Sequence, residues 1–454
     1  MKYLHLIPNY CLKALNILNG SGYEAYAVGG AVRDILMNRD PHDFDIATSA
    51  LPDEIITVMS MHNIKTVDMA KKHGTITAVI DGNNVEITTY RVDGEYVDNR
   101  HPQEVEFTTN IALDVARRDF TMNALYFSSD GTIVDLNGGT EDIRAKRIRA
   151  VGNAEIRFEE DALRIMRGLR FASELGFDIE AQTEQAMFNK KALLRNISGE
   201  RLYSEFTKLV IAPYASGIIR QYTDIFAEFC PSLLKARGFE QNSSYHDKDV
   251  LEHILAVLDS IPLTDGCRDV TLAYAALCHD LGKPYVYKTD ENGVGHMKGH
   301  AEVSLKIWDE LADRFKVDNK LRADVSELIK YHDTFPEPEQ KSVHRFMLHH
   351  TEENLFKLHI LQKADLSAHT AKASGRVEKL AVIMDLEQKI RNKNLVLSRK
   401  DLAVSGKDLI DIGINPGPQM GSTIDALLEA VIDGAVENNP SSLLSYALKY
   451  RFNS

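Results

Sequence analysis

Asp43 and Asp45 are separated by a single residue, and Gly29-Gly30-Ala31-Val32-Arg33-Asp34 stands just ahead of them. On a strand, residues i and i+2 project from the same face, so Asp-Phe-Asp sets two carboxylates side by side. Such charges repel unless cations sit between them. Magnesium suits the position, because it binds through a few carboxylates plus substrate phosphates. Two ions roughly 4 Å apart activate a hydroxyl and stabilise a leaving pyrophosphate. The Gly29-Gly30 pair follows a strand pattern and precedes a helical one. There, backbone N–H groups can approach a phosphate and the helix dipole favours it. Arg33, in the first turn, is placed to clamp the same phosphates. A Gly-Gly turn or an Asp-x-Asp alone is commonplace; the two together in this order are not.

A second constellation lies at Asp161 and Arg164, in Glu160-Asp161-Ala162-Leu163-Arg164. On a helix, residues three apart share a face. A carboxylate accepts from an exocyclic amino group, and a guanidinium donates to ring nitrogens and carbonyls. The pair therefore suits the base edge of C or A, which both carry an amino group. U and G present a carbonyl instead, leaving two acceptors unpaired at a cost of several kcal/mol. Arg167 and Arg170 continue the spacing along one side of that helix.

The third constellation is His253, His279-Asp280, His296, His300, His332 and Asp365. Imidazole with carboxylate suits a divalent transition metal or magnesium. His279 and Asp280 are adjacent, so both can ligate only where a helix ends; Leu281-Gly282-Lys283-Pro284 reads as such an end, with glycine as C-cap. A lone histidine is more often a satisfied structural residue than a ligand, but six such groups in order point to a metal pocket.

The elements that must carry these residues are legible. YEAYAVGG, HNIKTVDM, GTITAVI, NVEITTYR and ALYFSSDGTIVDL read as strands bounded by Gly, Asn or Asp. AVRDILMN and PDEIITVMSMH between them have helical spacing, and from about residue 158 the pattern is nearly all helical, FEEDALRIMRGLRFASELG included. Near the C-terminus, NPGPQMG separates two helices.

The chain of 454 residues carries a net charge of -13, with 44% hydrophobic and 26% charged residues. Acidity does not exclude a nucleic-acid partner, because phosphate binding needs only a local basic surface. Arg144, Lys146, Arg147, Arg149, Arg157, Arg164, Arg167 and Arg170 form one dense basic stretch. Cys11, Cys230, Cys267 and Cys278 are scattered, which argues against a disulfide framework and fits a reducing compartment. The N-terminal MKYLHLIPNYCLKALNIL is interrupted by His5, Asn9 and Lys13 and reads as an amphipathic helix, not a signal peptide. No run of ~18 apolar residues appears, so neither a membrane span nor a membrane partner is expected. A cytoplasmic location follows.

GGAVRD with DFDIAT resembles the first motif of the class II tRNA nucleotidyltransferase and bacterial poly(A) polymerase family, within the polymerase-beta-like superfamily. RRDFTMNAL (Arg117 to Leu125), DLNGGTEDI (Asp135 to Ile143), EDALR and SGERL (Ser198 to Leu202) resemble its later motifs in the expected order. The resemblance implies an α+β polymerase-beta-like head at 1–150 and an all-α neck at 151–235. It implies Mg2+ on Asp43 and Asp45, with Glu86 as a third catalytic carboxylate from a neighbouring strand. Gly29, Gly30, Arg33, Arg118, Asp119, Asp161, Arg164, Arg167 and Arg170 would bind nucleotide. The implied reaction is addition of CCA to tRNA from CTP and ATP. The apparently full-length loop from Thr89 to Phe107 favours complete CCA addition; poly(A) polymerase and CC-adding enzyme are the alternatives.

The order H…HD…H…H…D resembles the HD phosphohydrolase superfamily over about residues 245–370. His253, His279, Asp280 and Asp365 match its core ligands, with His300 and His332 as further ligands and His296 as an alternative to His300. The resemblance implies an HD-type helical body at 236–375, a second divalent metal and phosphoester hydrolysis. A phosphohydrolase with an RNA-binding head is the rival from another class. The segment from 376 to 454 resembles the helical tail of bacterial tRNA nucleotidyltransferases, which contacts tRNA.

Overall fold

The computed structural model describes residues 4–41, 43–93, 105–392 and 399–451. The chain forms two compact units. One comprises Met1–Lys235, Leu263–Val270 and Glu310–Val317; the other comprises Ala236–Pro262, Thr271–Asp309 and Asp318–Ser454.

The first unit opens with a mixed α+β head. Its strands are β1 (Ala25–Val28), β2 (Asp45–Thr48), β3 (Lys65–Val67), β4 (Thr75–Ile80), β5 (Asn83–Thr89), β6 (Arg91–Asp93), β7 (Val105–Phe107), β8 (Leu125–Phe127) and β9 (Ile133–Asp135). Seven of them form one sheet in the order β3-β4-β5-β2-β1-β8-β9. The β2–β5 pair is parallel, and the remaining neighbours in the sheet are antiparallel. β4 alternates, burying Ile76, Ala78 and Ile80, which is the pattern of a strand with one face on the core. Helix α1 (Asn9–Gly20) buries Cys11, Ala14, Leu15 and Leu18, spaced i, i+3, i+4 and i+7. Helices α2 (Gly30–Leu36) and α3 (Pro52–Met61) follow β1 and β2. β6 and β7 pair with each other, but 94–104, most of the Thr89–Phe107 loop, lies outside the described residues.

The turn after β9 is fixed by one side chain. The Asp135 carboxylate accepts from the Gly139 N–H at 2.9 Å, the Thr140 N–H at 2.9 Å and the Thr140 hydroxyl at 2.7 Å. Gly138 takes φ 75°, a conformation natural to glycine. Gly139 is required for a different reason: a Cβ there would lie 2.1 Å from the Thr121 carbonyl oxygen.

Helices α4 (Ile111–Ala116), α5 (Gly139–Arg144), α6 (Ala154–Glu160), α7 (Leu163–Leu175), α8 (Ala181–Lys190) and α9 (Gly199–Ile211) complete the elements that bear on the site. FEEDALRIMRGLRFASELG is therefore not one helix. It breaks at Asp161, which is extended at φ -142° and ψ 101°. The cause is local: the Asp161 carboxylate accepts from the Leu163 N–H at 3.1 Å, the competition with helix continuation that aspartate characteristically offers. Among the described residues past 158, the regular structure is helical apart from two-residue strands, such as Asp178–Ile179 paired with Arg147–Ile148.

The second unit is built of helices, among them Val250–Ser260, Val270–Cys278, Asn319–Tyr331 and Glu352–Ser367, with short strand pairs such as Lys288–Thr289 with Gly295–His296. His279 and Asp280 follow directly on the end of Val270–Cys278. Gly282 is not a left-handed C-cap, as its sequence context predicts. It is right-handed at φ -76° and precedes the short helix Lys283–Val286. Glycine is needed because a Cβ would meet the His300 carbonyl oxygen at 2.2 Å. Leu409, Ile414, Leu427, Leu443 and Ala447 form a small core of their own near the C-terminus.

Substituting Gly139→Ala is expected to cost about 2 kcal/mol, the usual order for forced overpacking. Urea denaturation measures it; a change below about 0.5 kcal/mol, the range of ordinary surface substitutions, would contradict the account.

Candidate active site and candidate metal centre

The head's carboxylates are gathered by strand register. Val28 of β1 lies opposite Asp45 of β2, and the parallel partner of Asp45 on β5 is Glu86. Phe44 is buried, while Asp43 and Asp45 are open to solvent, so the alternation holds. Asp43, however, precedes the strand; the pair sits at the mouth of β2 and not along it. Although its edge is open to solvent, the Asp45 carboxyl is raised above its ordinary value by the desolvation of the surrounding protein, then by Glu86 and Asp43, against the pull of Arg118. A cation at this point would relieve that repulsion.

Opposite the carboxylates is a cleft of about 660 Å3 whose lining includes Gly29, Gly30, Arg33, Asp43, Asp45, Arg117, Arg118, Asp119, Asn123, Asp161, Arg164, Arg167, Arg170, Phe171 and Arg201. Every predicted head residue is there except Glu86, which stands beside Asp45 across the ladder. Gly29 takes φ 76° between β1 and α2, and the chain turns there into the cleft.

All seven arginines are anchored by carboxylates. Arg33 pairs with Asp34 at 2.8 Å, Arg117 and Arg118 with Asp114 at 2.6 and 3.3 Å, and Arg164 with Glu160 at 2.6 Å. Arg167 pairs with Asp119 at 2.7 Å, Arg170 with Glu205 at 2.6 Å, and Arg201 with Asp161 at 2.7 Å. Arg33 also donates to Asn123 at 3.0 Å. The ring of Phe171 lies beneath Arg33, Arg167 and Arg170, at 5.1, 5.5 and 4.0 Å from ring centroid to guanidinium carbon. Such contacts add roughly 0.5–2 kcal/mol each.

Asp161 and Arg164 both line this cleft, but they do not share a helix face. Asp161 is held in the break between α6 and α7, and its second oxygen accepts from Arg201. Arg164 starts α7 and donates to Glu160 and to the Arg117 carbonyl at 2.8 Å. The two reach the cleft from separate elements.

The sequence reading missed Asp114, Asn123, Tyr126, Phe171 and Arg201. Asp114 had a signal: it stands three and four residues before Arg117 and Arg118 at the end of α4. It is fully buried, accepts from both arginines, and also takes the Tyr126 hydroxyl proton in a hydrogen bond. Burial would raise its pKa, but Arg117, Arg118 and Tyr126 outweigh that and hold it below the usual range. Asp119 is lowered likewise, Arg167 overcoming its burial.

In the second unit, the six predicted ligands come together. His253, His279, Asp280 and Asp365 place donor atoms within 4.8 Å of one another, and so do Asp280, His300 and His332. Asp280 belongs to both groups. The Nδ1 atoms of His279, His300 and His332 donate to the carbonyls of Ala276, Met297 and Ile329 at 2.8, 3.0 and 2.7 Å. Each Nε2 is thereby directed into the cluster, the arrangement by which metal-binding histidines are oriented. The Nε2 atoms of His300 and His332 face each other at 3.1 Å, which needs a proton or a cation between them. Asp280 Oδ1 is buried without a hydrogen-bond partner. These residues fit a divalent ion, or two sharing Asp280. His296 is elsewhere: it is exposed and pairs with Asp290 at 3.1 Å, so His300 fills the position for which it was an alternative.

Burial would raise Asp280 and Asp365, but His279 with Lys283, and His253 with His279, hold them well below the carboxylate range. The same carboxylates hold His279 up to about 10 against its burial. Burial pushes His332 down to about 3. The adjoining cavity of about 450 Å3 is lined by Lys283, Lys298, Lys330 and Arg376, among others.

A sheet carrying paired carboxylates against an arginine-walled cleft is the plan of a nucleotidyltransferase. The family model for the poly(A) polymerase head domain matches residues 25–149. A probable RNA-binding region of such polymerases matches 176–235, and a putative second domain of tRNA nucleotidyltransferases matches 300–447. A CCA-adding enzyme of Streptococcus pyogenes serotype M4 is 34% identical over 449 residues, 98% of each chain. The structure of the Bacillus stearothermophilus CCA-adding enzyme in complex with CTP is similar at 29% identity and TM-score 0.72, over 98% of this chain and 97% of that one. The Thermotoga maritima CCA-adding enzyme complexed with tRNA shares the fold, at 19% identity and TM-score 0.61 over 99% and 98% of the two chains. The chain belongs to the CCA-adding enzymes, tRNA nucleotidyltransferases that extend the tRNA 3′ end without a template.

Asp114→Asn is expected to destabilise the protein by about 3 kcal/mol, because two arginines lose a buried counter-charge. The sign follows from the lowered pKa. The contribution is complete above the free carboxyl value near 4 and is lost as pH falls through the depressed native value. The gap between wild type and variant in denaturation midpoint should therefore close in acid; a gap independent of pH would contradict the assignment.

Proposed function

We propose that this chain adds CMP, CMP and AMP to tRNA 3′ ends from CTP and ATP, using Asp43, Asp45 and Glu86 as the catalytic carboxylates. The observation that carries the reading is the register of Asp45 beside Glu86, facing seven anchored arginines. Asp43 and Asp45 would hold Mg2+, which when bound lowers the cost of ionising the attacking 3′-hydroxyl and of charge on the leaving pyrophosphate. The O3′–Pα bond forms as the bond to pyrophosphate breaks. Gly29 and Gly30 bring backbone close to the triphosphate, and Arg33, Arg118, Arg167 and Arg170 meet its charge from fixed positions. Asp119 acts through Arg167. Asp161 and Arg164 read the base edge, with Arg201 orienting Asp161.

The reading divides the chain into a head at 1–150, a neck at 151–235, an HD-type body at 236–375 and a tail at 376–454 that contacts tRNA. Within the body, the carbonyl-oriented histidines support a second divalent metal and phosphoester hydrolysis. Four cysteines without a disulfide support a cytoplasmic location, and among the described residues no helix is long and apolar enough to cross a membrane.

Asp45→Asn is expected to reduce CMP incorporation about 1000-fold or more, the equivalent of roughly 4 kcal/mol of transition-state stabilisation. Incorporation within tenfold of wild type would defeat the metal assignment. Asp161→Ala should lower discrimination against UTP and GTP by at least about tenfold, the worth of one lost hydrogen bond; unchanged discrimination would remove it from base selection. For the body, His332→Ala should abolish metal-dependent hydrolysis of a 2′,3′-cyclic nucleotide while CCA addition persists. Hydrolysis surviving in that variant would refute the HD reading.

A further inference from the structure

Beside the HD ligands is a third group, which shares His253 with them and adds two histidines, His246 and His369, that neither the transferase nor the HD reading uses. His246, His253 and His369 each place a ring nitrogen within 4.8 Å of the other two. The ring centroids of His246 and His369 are 4.3 Å apart, and those of His253 lie 5.0 and 5.1 Å from them. The chain holds this arrangement deliberately far from its sequence neighbours: the Thr370 N–H donates to the Tyr245 carbonyl at 2.9 Å, and the Thr370 hydroxyl donates to the Ser244 carbonyl at 2.9 Å. These two bonds clamp the segment before His246 against the one after His369.

The protonation pattern is that of ligands. His369 Nδ1 donates to the Asp365 carbonyl at 2.7 Å, which leaves Nε2 as a lone pair. The Nδ1 atoms of His246 and His253 are buried and have no hydrogen-bond partner. His253 itself is fully buried, and its Nε2 is already directed at Asp365 and Asp280, at 2.9 and 3.3 Å. An orphaned buried ring nitrogen is costly unless something satisfies it. His246 and His369 both line the cavity that contains the HD ligands.

We propose that His246, His253 and His369 form a third metal position, selective for a borderline divalent ion such as Zn2+, with His253 serving it through Nδ1; when the HD position is also filled through Nε2, the His253 ring gives up its remaining N–H proton to solvent and bridges the two ions as an imidazolate. Three imidazoles without a carboxylate favour zinc, nickel or copper over magnesium. Three protein ligands leave a fourth coordination place open, as in catalytic rather than structural zinc sites. That place opens on the cavity bearing Lys283, Lys298 and Lys330, so its ligand is an anionic oxygen, either water-derived or from a phosphate.

The test strips the full-length protein with a chelator, reloads it with Zn2+ alone, and measures bound metal by elemental analysis after gel filtration. His369→Ala and His246→Ala should each bind one equivalent fewer than wild type, with CCA addition retained as the control for folding. His332→Ala, which touches only the HD position, should leave that equivalent in place, and the double variant His332→Ala with His369→Ala should lose both contributions. Reloading with Co2+ should give a visible absorption band that disappears in His369→Ala. Wild-type stoichiometry in His369→Ala, or loss of all metal in it, would overturn the proposal. A change confined to His369→Ala, with His332→Ala unaltered, would support the third position while counting against the HD one.

Discussion

Everything in the transferase cleft depends on keeping many guanidinium groups close together in a protein whose net charge is -13. Seven cations facing one another would repel and lose hydration. Here each is paired with a carboxylate, from Asp34, Asp119, Asp161, Glu160 or Glu205, or from Asp114, which Arg117 and Arg118 share. Phe171 adds a flat apolar surface under three of them. The result is a wall of positive charge whose geometry is set before any nucleotide arrives, which is the condition for electrostatic catalysis. The acidic residues that outnumber the basic ones are thus partly the framework of a phosphate-binding surface.

The sheet supplies the other half. Within the seven-stranded sheet, the β2–β5 register is where two neighbouring strands run the same way, and it sets Glu86 next to Asp45. A slip of one residue would turn Glu86 to the opposite face. The second unit uses a different solution for the same problem of concentrated charge: backbone carbonyls fix the rings of His279, His300 and His332, so that their Nε2 atoms face Asp280.

Much of this was legible. The strands around the Gly29-Gly30 turn and the cleft position of Arg33 follow from residue types and order; the cleft position of Arg118 and Arg167 and the ligand set His253, His279, Asp280, His300, His332 and Asp365 follow from these together with the family resemblances. What failed was local: a helical period runs straight through Asp161, yet its side chain captures the Leu163 N–H and breaks the helix, so Asp161 and Arg164 arrive from different elements. Gly282 reads as a helix stop but is present because the His300 backbone approaches closely. Phe171 and Arg201 were not legible as site residues because part of their meaning lies in distant partners: Arg33 for Phe171, and Asp161, 40 positions away, for Arg201. His246 and His369 were overlooked because nothing in their spacing announces the clamp made by Thr370.

The central claim is that this cleft chooses C, C and then A with no template. Incubating the protein with Mg2+, CTP, ATP and a tRNA lacking its three terminal nucleotides, then resolving the products at single-nucleotide resolution, tests it most directly. The account predicts extension by CCA and a stop. A ladder of added A residues, a stop after CC, or no extension would contradict it.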